Sequence, residues 1–314
     1  MRYDMLVIGD LNVDLNLIGD DVVPEFGQGE KLVDDASLNL GGSSAIFACQ
    51  AARLGLRVAF AGVVGDDVFG RFLIDTLRDR GIETGHVRVR PSVKTGITVH
   101  LVRAGDRAML TYQGTLALLD AAHVSRKALA ETRHVHSGSF YMLPRLRPGL
   151  PSVFEDAQRL GATTSLDTNF DPSGAWAGGI TEVLAHTDVF LPNEQELTHI
   201  ARAADAGGGG DIDAALAWAA ARVPTVALKL GAEGAAARAG GETVRCAARP
   251  VEVVDTTGAG DSFDAGFLYG FLNGWPLEAA LRLGCACGAL SATGPGGIAA
   301  QPTLEEACAF AGLA

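Results

Sequence analysis

The stretch DTTGAGDSFDAGF, residues 255–267, joins a glycine-rich turn to an aspartate in the first turn of a predicted helix that runs to about Asn273. Backbone N–H groups at a helix N-terminus have no partner within the helix and carry the positive end of its dipole, so they can bind an anion. Gly258 and Gly260 each cost about 1 kcal/mol relative to alanine inside a helix, but glycine lets a bulky phosphate approach the backbone. The carboxylate of Asp261 could accept a proton from a hydroxyl. These residue types together favour phosphoryl transfer; the alternative is that Asp261 only offsets the helix dipole.

The elements that must position this turn alternate between two hydrophobic patterns. Apolar strand-like runs lie at 5–9, 57–65, 134–138, 163–167, 188–192 and 225–231. Helical patterns lie between them, among others at 43–55, 66–81 and 152–161. These helical patterns end at a glycine, as helix C-terminal caps commonly do. The alternation predicts an α/β fold with a central, mostly parallel sheet and helices on both faces.

Two segments interrupt this alternation. Residues 12–38 and about 93–112 have the pattern of strands and turns, the second with a hairpin around Ala104–Asp106. Insertions that leave a parallel sheet near the carboxyl ends of its strands can cover a ligand crevice, so we expect these two segments to form a lid. The whole chain, 1–314, is expected to be a single domain with this lid. Residues 203–211, AADAGGGGD, are expected to be a flexible surface loop with no phosphate-binding role for its glycines.

Composition and charge exclude several classes of protein. The chain is 48% hydrophobic and 20% charged, which favours a folded soluble protein over a disordered one. The net charge of −12 argues against a nucleic-acid surface, and apolar runs stay shorter than the roughly 18 residues of a membrane helix. The N-terminus reads as a first strand and not as a signal peptide. Five scattered cysteines favour a reducing cytoplasm, and we expect the pair Cys285 and Cys287 to be two small buried residues and not metal ligands.

The stretch at 255–267 resembles the C-terminal signature of the ribokinase-like (PfkB) family of carbohydrate and nucleoside kinases. Other landmarks of that family occur in the expected order: GDLNVD (9–14), GGSSAIFACQAARLG (41–55) followed by GVVGDDVFG (62–70), LPNEQE (191–196) and LKLGAEG (228–234). The resemblance implies the ribokinase-like three-layer fold, with a mostly parallel central sheet, helices on both faces and a small β-sheet lid. It also implies an ATP-dependent kinase that uses Mg²⁺.

The resemblance implies three functions around the glycine-rich turn. Asp261 would remove the proton from the substrate hydroxyl. The anion hole for the γ-phosphoryl group would be formed by the backbone amides of Gly258, Ala259 and Gly260. Asp255 and Thr257 would hold a monovalent cation, K⁺ in some members of the family, in a site closed by the loop around 293–297. Alternatively, Asp255 only caps the turn.

For ATP the resemblance implies a set of residues in the C-terminal half. These are Asn193, Glu196, Lys229, Gly231 and Gly234. Glu196 would contact Mg²⁺ through water, and Lys229 would reach the nucleotide phosphates. Two alternatives stay open: Asn193 and Glu196 could form a solvated helix face, and Lys229 could be a surface lysine.

For the phosphate acceptor the resemblance implies contacts from the first strand and from the glycine pair before the first helix. Asn12 and Asp14 are the best candidates, because a carboxylate can accept hydrogen bonds from two adjacent hydroxyls. Gly41 and Gly42 would let the substrate lie close to the backbone. Asn169 is expected to face the same site, unless it only forms a turn with Asp171.

The sequence departs from the family pattern at two positions near the acceptor. Ile46 stands where the family usually has an asparagine, although the two serines before it could substitute. Asp171 stands where an arginine often follows, which removes a cation suited to an acidic sugar or a sugar phosphate. A small neutral sugar is therefore the expected acceptor.

Three other functions are alternatives to a neutral-sugar kinase. A nucleoside kinase of the same fold is the nearest, and the apolar Ile46 and Phe47 could favour a base. A catalytically silent regulatory member would not need to keep Asp261 beside both glycines. A nicotinamide-dependent dehydrogenase lacks its G-x-G-x-x-G turn in VIGDLN. Family members often dimerise through the lid, so a homodimer is expected here, and neither nucleic acid nor a membrane is an expected partner.

Overall fold

The computed structural model describes residues 1–27, 29–103, 106–204 and 211–313. The strands in chain order are β1 (Met5–Ile8), β2 (Asn12–Ile18), β3 (Asp35–Gly41), β4 (Val58–Gly65), β5 (Glu83–Arg90), β6 (Ile97–Arg103), β7 (Asp106–Tyr112), β8 (His134–Ser137), β9 (Thr163–Leu166), β10 (Val189–Phe190), β11 (Thr225–Lys229), β12 (Ala235–Ala239) and β13 (Glu242–Cys246). The α-helices are α1 (Ser43–Arg53), α2 (Val68–Asp79), α3 (Arg126–Ala130), α4 (Leu150–Arg159), α5 (Ile180–Leu184), α6 (Glu194–Ala203), α7 (Ile212–Ala220), α8 (Ala259–Leu272), α9 (Leu277–Ser291) and α10 (Leu304–Ala311). Each predicted strand and helix of the α/β alternation is present at its predicted place.

The larger sheet has nine strands in the order β13-β12-β11-β10-β9-β8-β1-β4-β5. Across this sheet, the neighbouring strands between β11 and β5 all pair in parallel. At the other edge, β12 and β13 add an antiparallel hairpin. All residues of β4, VAFAGVVG, are buried, as expected of a strand covered on both faces. The predicted mostly parallel α/β fold is confirmed.

Hydrophobic cores lie on both faces of this sheet because successive side chains of a strand point to opposite sides. Leu6 and Ile8 of β1 belong to the core that also contains Phe154 of α4. Met5 and Val7 belong to the opposite core, which also contains Phe267 of α8. The apolar side of α8 is thus fixed against the sheet, and this packing holds its N-terminus in place.

A separate four-stranded sheet has the order β3-β2-β6-β7. Its strands come from the two segments expected to form the lid, although β3 extends to Gly41, beyond the predicted limit at residue 38. Polar side chains on β2 and β6 are buried, which identifies the inner face of this small sheet: Asn12, Asp14, Asn16, Thr98 and His100. Residues 104 and 105 of the turn expected around 104–106 lie outside the described residues, as does most of the loop expected at 203–211.

The two cysteines of the C-x-C pair lie on α9, and only one matches the expectation. Cys287 is buried, whereas Cys285 is half-buried and lines the cavity described below. All five cysteines lie in the described part of the chain and are free thiols. Within that same part, no helix is both long and apolar enough to cross a membrane.

Candidate active site

A cavity of about 890 Å³ lies between the carboxyl ends of the central strands, the N-terminus of α8 and the inner face of the small sheet. Such crevices are where ligands bind in open α/β sheets. Most of the residues predicted for the site line this cavity: Asp14, Gly42, Asn169, Asn193, Glu196, Lys229, Gly231, Gly234, Thr257, Gly258, Ala259, Gly260 and Asp261. Asn12, Gly41 and Asp255 were also predicted, but they are not among the residues that line it.

Gly258 caps α8 in the left-handed region, with φ of 74°. A methyl group there would lie 2.7 Å from Cγ2 of Ile46 and 3.0 Å from Cα of Gly297, so the fold itself requires glycine. A methyl group on Gly260 would meet only Lys229 at an ordinary 3.7 Å. Packing of the protein therefore does not explain Gly260, whereas close approach of an anion to the backbone would explain it.

Asp261 lies in the first turn of α8 and is only 8% exposed. Burial raises the pKa of its carboxyl to about 8; the hydroxyl of Ser43, which donates to Oδ1, opposes this shift, and the charge of Asp167 adds to it. A base is most effective when its pKa lies near the working pH. Asp261 is therefore suited to accept a proton from a hydroxyl at neutral to slightly alkaline pH.

Asp10 fixes the start of α1 next to Asp261, and it was missed as a site residue. Its two carboxylate oxygens accept hydrogen bonds from the backbone N–H groups of Ser43 and Ser44, both at 2.9 Å. Since Ser43 in turn donates to Asp261, Asp10 positions a hydrogen bond to the candidate base. The only signal in the sequence was an aspartate at the end of the first strand.

Lys229 forms a buried ion-pair network below the glycine-rich turn. Its Nζ lies 2.7 Å from Oδ2 of Asp167 and 3.1 Å from both carboxylate oxygens of Asp264. Burial would lower the pKa of Lys229, but the two carboxylates outweigh it and raise that pKa. Burial also raises the pKa of Asp264 well above its usual range.

This network shows which protein groups Lys229 meets, and its predicted contact with the nucleotide phosphates stays a prediction. The ammonium group is paired with protein carboxylates, and both Nζ and Cδ lie 3.7 Å from the place that a methyl group on Gly260 would take. The alternative of a surface lysine is wrong, because the side chain is 12% exposed. Asp264 had no predicted function; its place three residues after Asp261 becomes informative only when the position of Lys229 is known.

Asn193 and Glu196 begin α6 with a capping box. Oδ1 of Asn193 accepts from the Glu196 N–H at 2.8 Å, and Oε2 of Glu196 accepts from the Asn193 N–H at 2.9 Å. Glu196 is 5% exposed, so the alternative of a solvated helix face is wrong. Burial, with the charge of nearby Asp167, raises the pKa of Glu196 to about 7. Carboxylate and amide oxygens, such as those of these two cavity-lining residues, are the ligand type that Mg²⁺ prefers.

Polar side chains of the small sheet form the part of the cavity where the acceptor is expected, called the acceptor end below. Nδ2 of Asn12 donates to Oδ1 of Asp14 at 3.0 Å and to Oγ1 of Thr98 at 3.4 Å. His100 lies with Nε2 3.4 Å from the same Asp14 oxygen, and both side chains line the cavity. Thr98 and His100 were not predicted, although their alternation along a strand indicated a shared face.

Gly41 is required by Asp14. A methyl group at residue 41 would lie 2.2 Å from Cγ of Asp14 on the neighbouring strand. This glycine therefore makes room for a protein carboxylate, which is a different reason from the predicted approach of substrate to the backbone.

Asn169 and Asp171 follow β9 in an irregular segment. Asn169 has a positive φ of 52°, lines the cavity and accepts from the Ser139 N–H at 3.0 Å. Asp171 is buried and accepts from the N–H groups of Ser173 and Trp176. Asp171 thus shapes the turn, whereas Asn169 both shapes it and faces the site.

Asp255 and Thr257 already have protein partners where a monovalent cation was expected. Asp255 accepts from the Thr257 N–H at 2.9 Å and hydroxyl at 2.7 Å, and from the Gly296 N–H at 2.9 Å. Arg107 of β7 donates from Nη1 to Oγ1 of Thr257 at 2.6 Å and lies 3.9 Å from Oδ1 of Asp255. The alternative that Asp255 caps the turn agrees with this geometry, and the expected K⁺ site stays a prediction.

Comparisons with known proteins agree with this arrangement. The sequence model for pfkB family carbohydrate kinases matches residues 3–304. A ribokinase of Haemophilus influenzae is 28% identical over 99% of both chains. A 2-dehydro-3-deoxygluconokinase of Bacillus subtilis is 30% identical over 91% of this chain and 90% of its own.

A putative ribokinase II from E. coli, solved in complex with ATP and Mg²⁺, has a similar structure. Its TM-score is 0.84 at 26% identity, and the match covers 99% of this chain and 100% of the other. Three findings lead to the same conclusion: the fold, the glycine-rich turn with its buried aspartate, and the match over nearly the whole sequence. This chain belongs to the pfkB family of carbohydrate kinases.

Proposed function

We propose that this chain transfers the γ-phosphoryl group of ATP to a hydroxyl of a small neutral sugar. One observation carries the proposal: the buried carboxylate of Asp261 lies in the first turn of α8, beside the amides of residues 258–260, and opens into the cavity that Asp14 also lines. A base and an anion site are thus held on one rigid helix end. Phosphoryl transfer depends on such positioning and charge stabilisation more than on covalent chemistry.

In the proposed mechanism Asp261 takes the proton of the acceptor hydroxyl, and Ser43 holds the carboxylate in place. The amides of residues 258–260 stabilise the negative charge that develops on the transferred group. Glu196, Asn193 and the carboxyl ends of β9 to β11 would hold Mg·ATP. When bound, Mg²⁺ supplies positive charge to the phosphate oxygens. Lys229 keeps Asp167 and Asp264 in fixed positions beneath this site.

The acceptor end supports a neutral substrate. An anionic sugar would approach the carboxylates of Asp14 and Asp261, and like charges repel at close range. The names of the relatives do not decide this point, since one is a ribokinase and another a 2-dehydro-3-deoxygluconokinase. The argument for a nucleoside acceptor loses one of its two residues, because Phe47 is a core residue stacked on His136. Ile46 packs against Gly258 and also lines the cavity, so the acceptor panel must include nucleosides.

Two further expectations remain part of the proposal. The small sheet acts as the lid, since its inner residues Asp14 and His100 face the cavity and could exclude water from the reaction. A homodimer through this sheet is supported by exposed apolar side chains on its strands, such as Leu38 and Leu110. K⁺ is not part of the proposal, because the guanidinium of Arg107 lies beside Asp255 and Thr257, where the ion was expected.

The test is ATP turnover with neutral sugars, polyols, acidic sugars and nucleosides as acceptors. We expect turnover on neutral sugars, and we expect Asp261→Asn to lower kcat by roughly 10²–10⁴-fold, the usual contribution of a general base. The affinity for ATP, measured by calorimetry, should change little. Asp79→Asn, which alters an exposed aspartate at the end of α2, is the matched control.

Two results would contradict the proposal. Activity that survives Asp261→Asn would remove Asp261 as the base. Turnover confined to acidic sugars or to nucleosides would agree with the phosphoryl transfer but show that the acceptor is not a neutral sugar.

A further inference from the structure

Arg107 connects the small sheet to the loop that precedes the anion hole. It lies on β7, whose side chains alternate, so that Arg107 and Met109 both line the cavity. Its guanidinium donates to Oγ1 of Thr257, the residue directly before Gly258, at 2.6 Å. A cationic side chain from a distant strand is therefore placed at the start of α8.

The group that needs this charge is Asp255. Its carboxylate is partly buried; burial opposes ionisation, but hydrogen bonds from Thr257 and Gly296 and the charge of Arg107 hold its pKa below the usual range. An ionised carboxylate so close to the anion hole would repel a phosphoryl group. A positive charge beside Asp255 cancels this effect.

A monovalent ion and Arg107 would compete for the same place. Thr257 Oγ1 donates to Asp255 and accepts from Arg107, and both oxygens of Asp255 already accept hydrogen bonds. A second unit positive charge about 4 Å from the guanidinium would be repelled by about 4 kcal/mol near a protein surface. Arg107 thus occupies the Thr257 hydroxyl and places its positive charge 3.9 Å from Oδ1 of Asp255, where a cation would otherwise lie.

We propose that Arg107 supplies, from the small sheet, the positive charge that a monovalent cation would otherwise supply at Asp255 and Thr257, so that phosphoryl transfer by this chain does not depend on K⁺. The inference rests on the proposed kinase function. Arginine suits this task because it stays charged at any working pH and has several donors in a fixed plane. The charge also reaches the anion hole only when the small sheet is in its present position.

The first experiment measures binding without turnover. Thermal unfolding of the full chain is followed in KCl and in tetramethylammonium chloride at equal ionic strength. We expect the same midpoint in both salts for the natural chain and for Arg107→Lys, and a higher midpoint in KCl for Arg107→Ala. Arg103→Ala is the matched control, because Arg103 is an exposed arginine at the end of the neighbouring strand β6.

The second experiment measures ATP turnover in the same salts. Without K⁺, Arg107→Ala should lose at least about tenfold in kcat, equivalent to roughly 1.4 kcal/mol of transition-state stabilisation, and K⁺ should restore part of it. The natural chain should be equally active in both salts. A lid residue that only holds the fold together would give no such rescue by K⁺.

The proposal is overturned if the natural chain itself shows a K⁺-specific rise in midpoint or in turnover, or if Arg107→Ala gains no response to K⁺. The thermal measurement needs no substrate. If every acceptor fails, the kinase function is in doubt while the thermal result still decides whether Arg107 takes the place of the cation.

Discussion

Replacing the candidate base by its neutral isostere should stabilise the protein while it removes activity. Asp261 is almost fully buried, and its carboxyl has a pKa of about 8 compared with 3.8 for an exposed aspartate. Between these values the unfolded chain is ionised at this residue, whereas the folded chain keeps the proton. Folding therefore binds a proton, and stability falls as the pH rises from about 4 to about 8.

The size of the effect follows from this difference. At pH 7 the pH lies about three units above the pKa of this carboxyl in the unfolded chain. Ionisation there favours the unfolded state by roughly 4 kcal/mol, at 1.36 kcal/mol per unit. Asparagine carries no such cost, and its amide oxygen can still accept from Ser43. Asp261→Asn should thus be more stable than the natural chain by an amount that grows by about 1.4 kcal/mol per pH unit between pH 5 and 7.5.

The assay is urea unfolding of both proteins at several values between pH 5 and 8, with Asp79→Asn as an exposed control. Contributions of titrating groups far from Asp261 cancel in the difference between the two proteins, because distant sites act independently. A difference that is independent of pH, or a variant that is less stable throughout, would refute the reasoning that burial holds this carboxyl neutral. A gain that reaches a plateau near pH 8 would support the pKa.

Two further predictions concern the network and the acceptor end. Lys229→Met should lower the free energy of unfolding in urea by about 3–5 kcal/mol, because it leaves buried carboxylates without a cation. The control Lys127→Met, at a side chain 80% exposed, should change it by less than about 1 kcal/mol. Equal losses for the two variants would contradict this reasoning. Gly41→Ala should displace Asp14 and lower kcat/KM for the sugar by roughly a hundredfold with an unchanged KM for ATP. Gly29→Ala, where a methyl group meets no atom within 4 Å, is the control for Gly41→Ala. Equal values of kcat/KM for the two variants in steady-state kinetics would reject this explanation of Gly41.

The α/β architecture could be predicted because its signals are local. Buried strands such as β4 read as continuous apolar runs, and the helix starts carry capping residues, as at Asn193. The glycine-rich turn was also a local signal, since Gly258 must adopt a left-handed conformation where α8 begins. Short sequence windows contain these features completely, so the positions of elements and of the turn followed from the sequence.

Contacts between distant segments could not be predicted in the same way. Arg107 lies 150 residues from Thr257, and Lys229 lies 62 residues from Asp167. The sequence showed that Lys229 had apolar neighbours, but not which group its ammonium would meet. A resemblance to a family assigns functions to single residues, whereas the paired partner of each charge depends on the packing of this particular chain.

The electrostatics of the site argue against a catalytically silent protein. Asp261, Asp264 and Glu196 are all buried with raised pKa values, and Lys229 is the one cation among them in the described residues that form this network. Well-packed apolar side chains of similar volume would often give equal or higher stability at such positions. A fold that only needed to be stable, or to present a surface, has no physical reason to keep this arrangement. A base that must ionise beside a phosphoryl group, with fixed neighbours to hold its pKa near the working pH, does have such a reason.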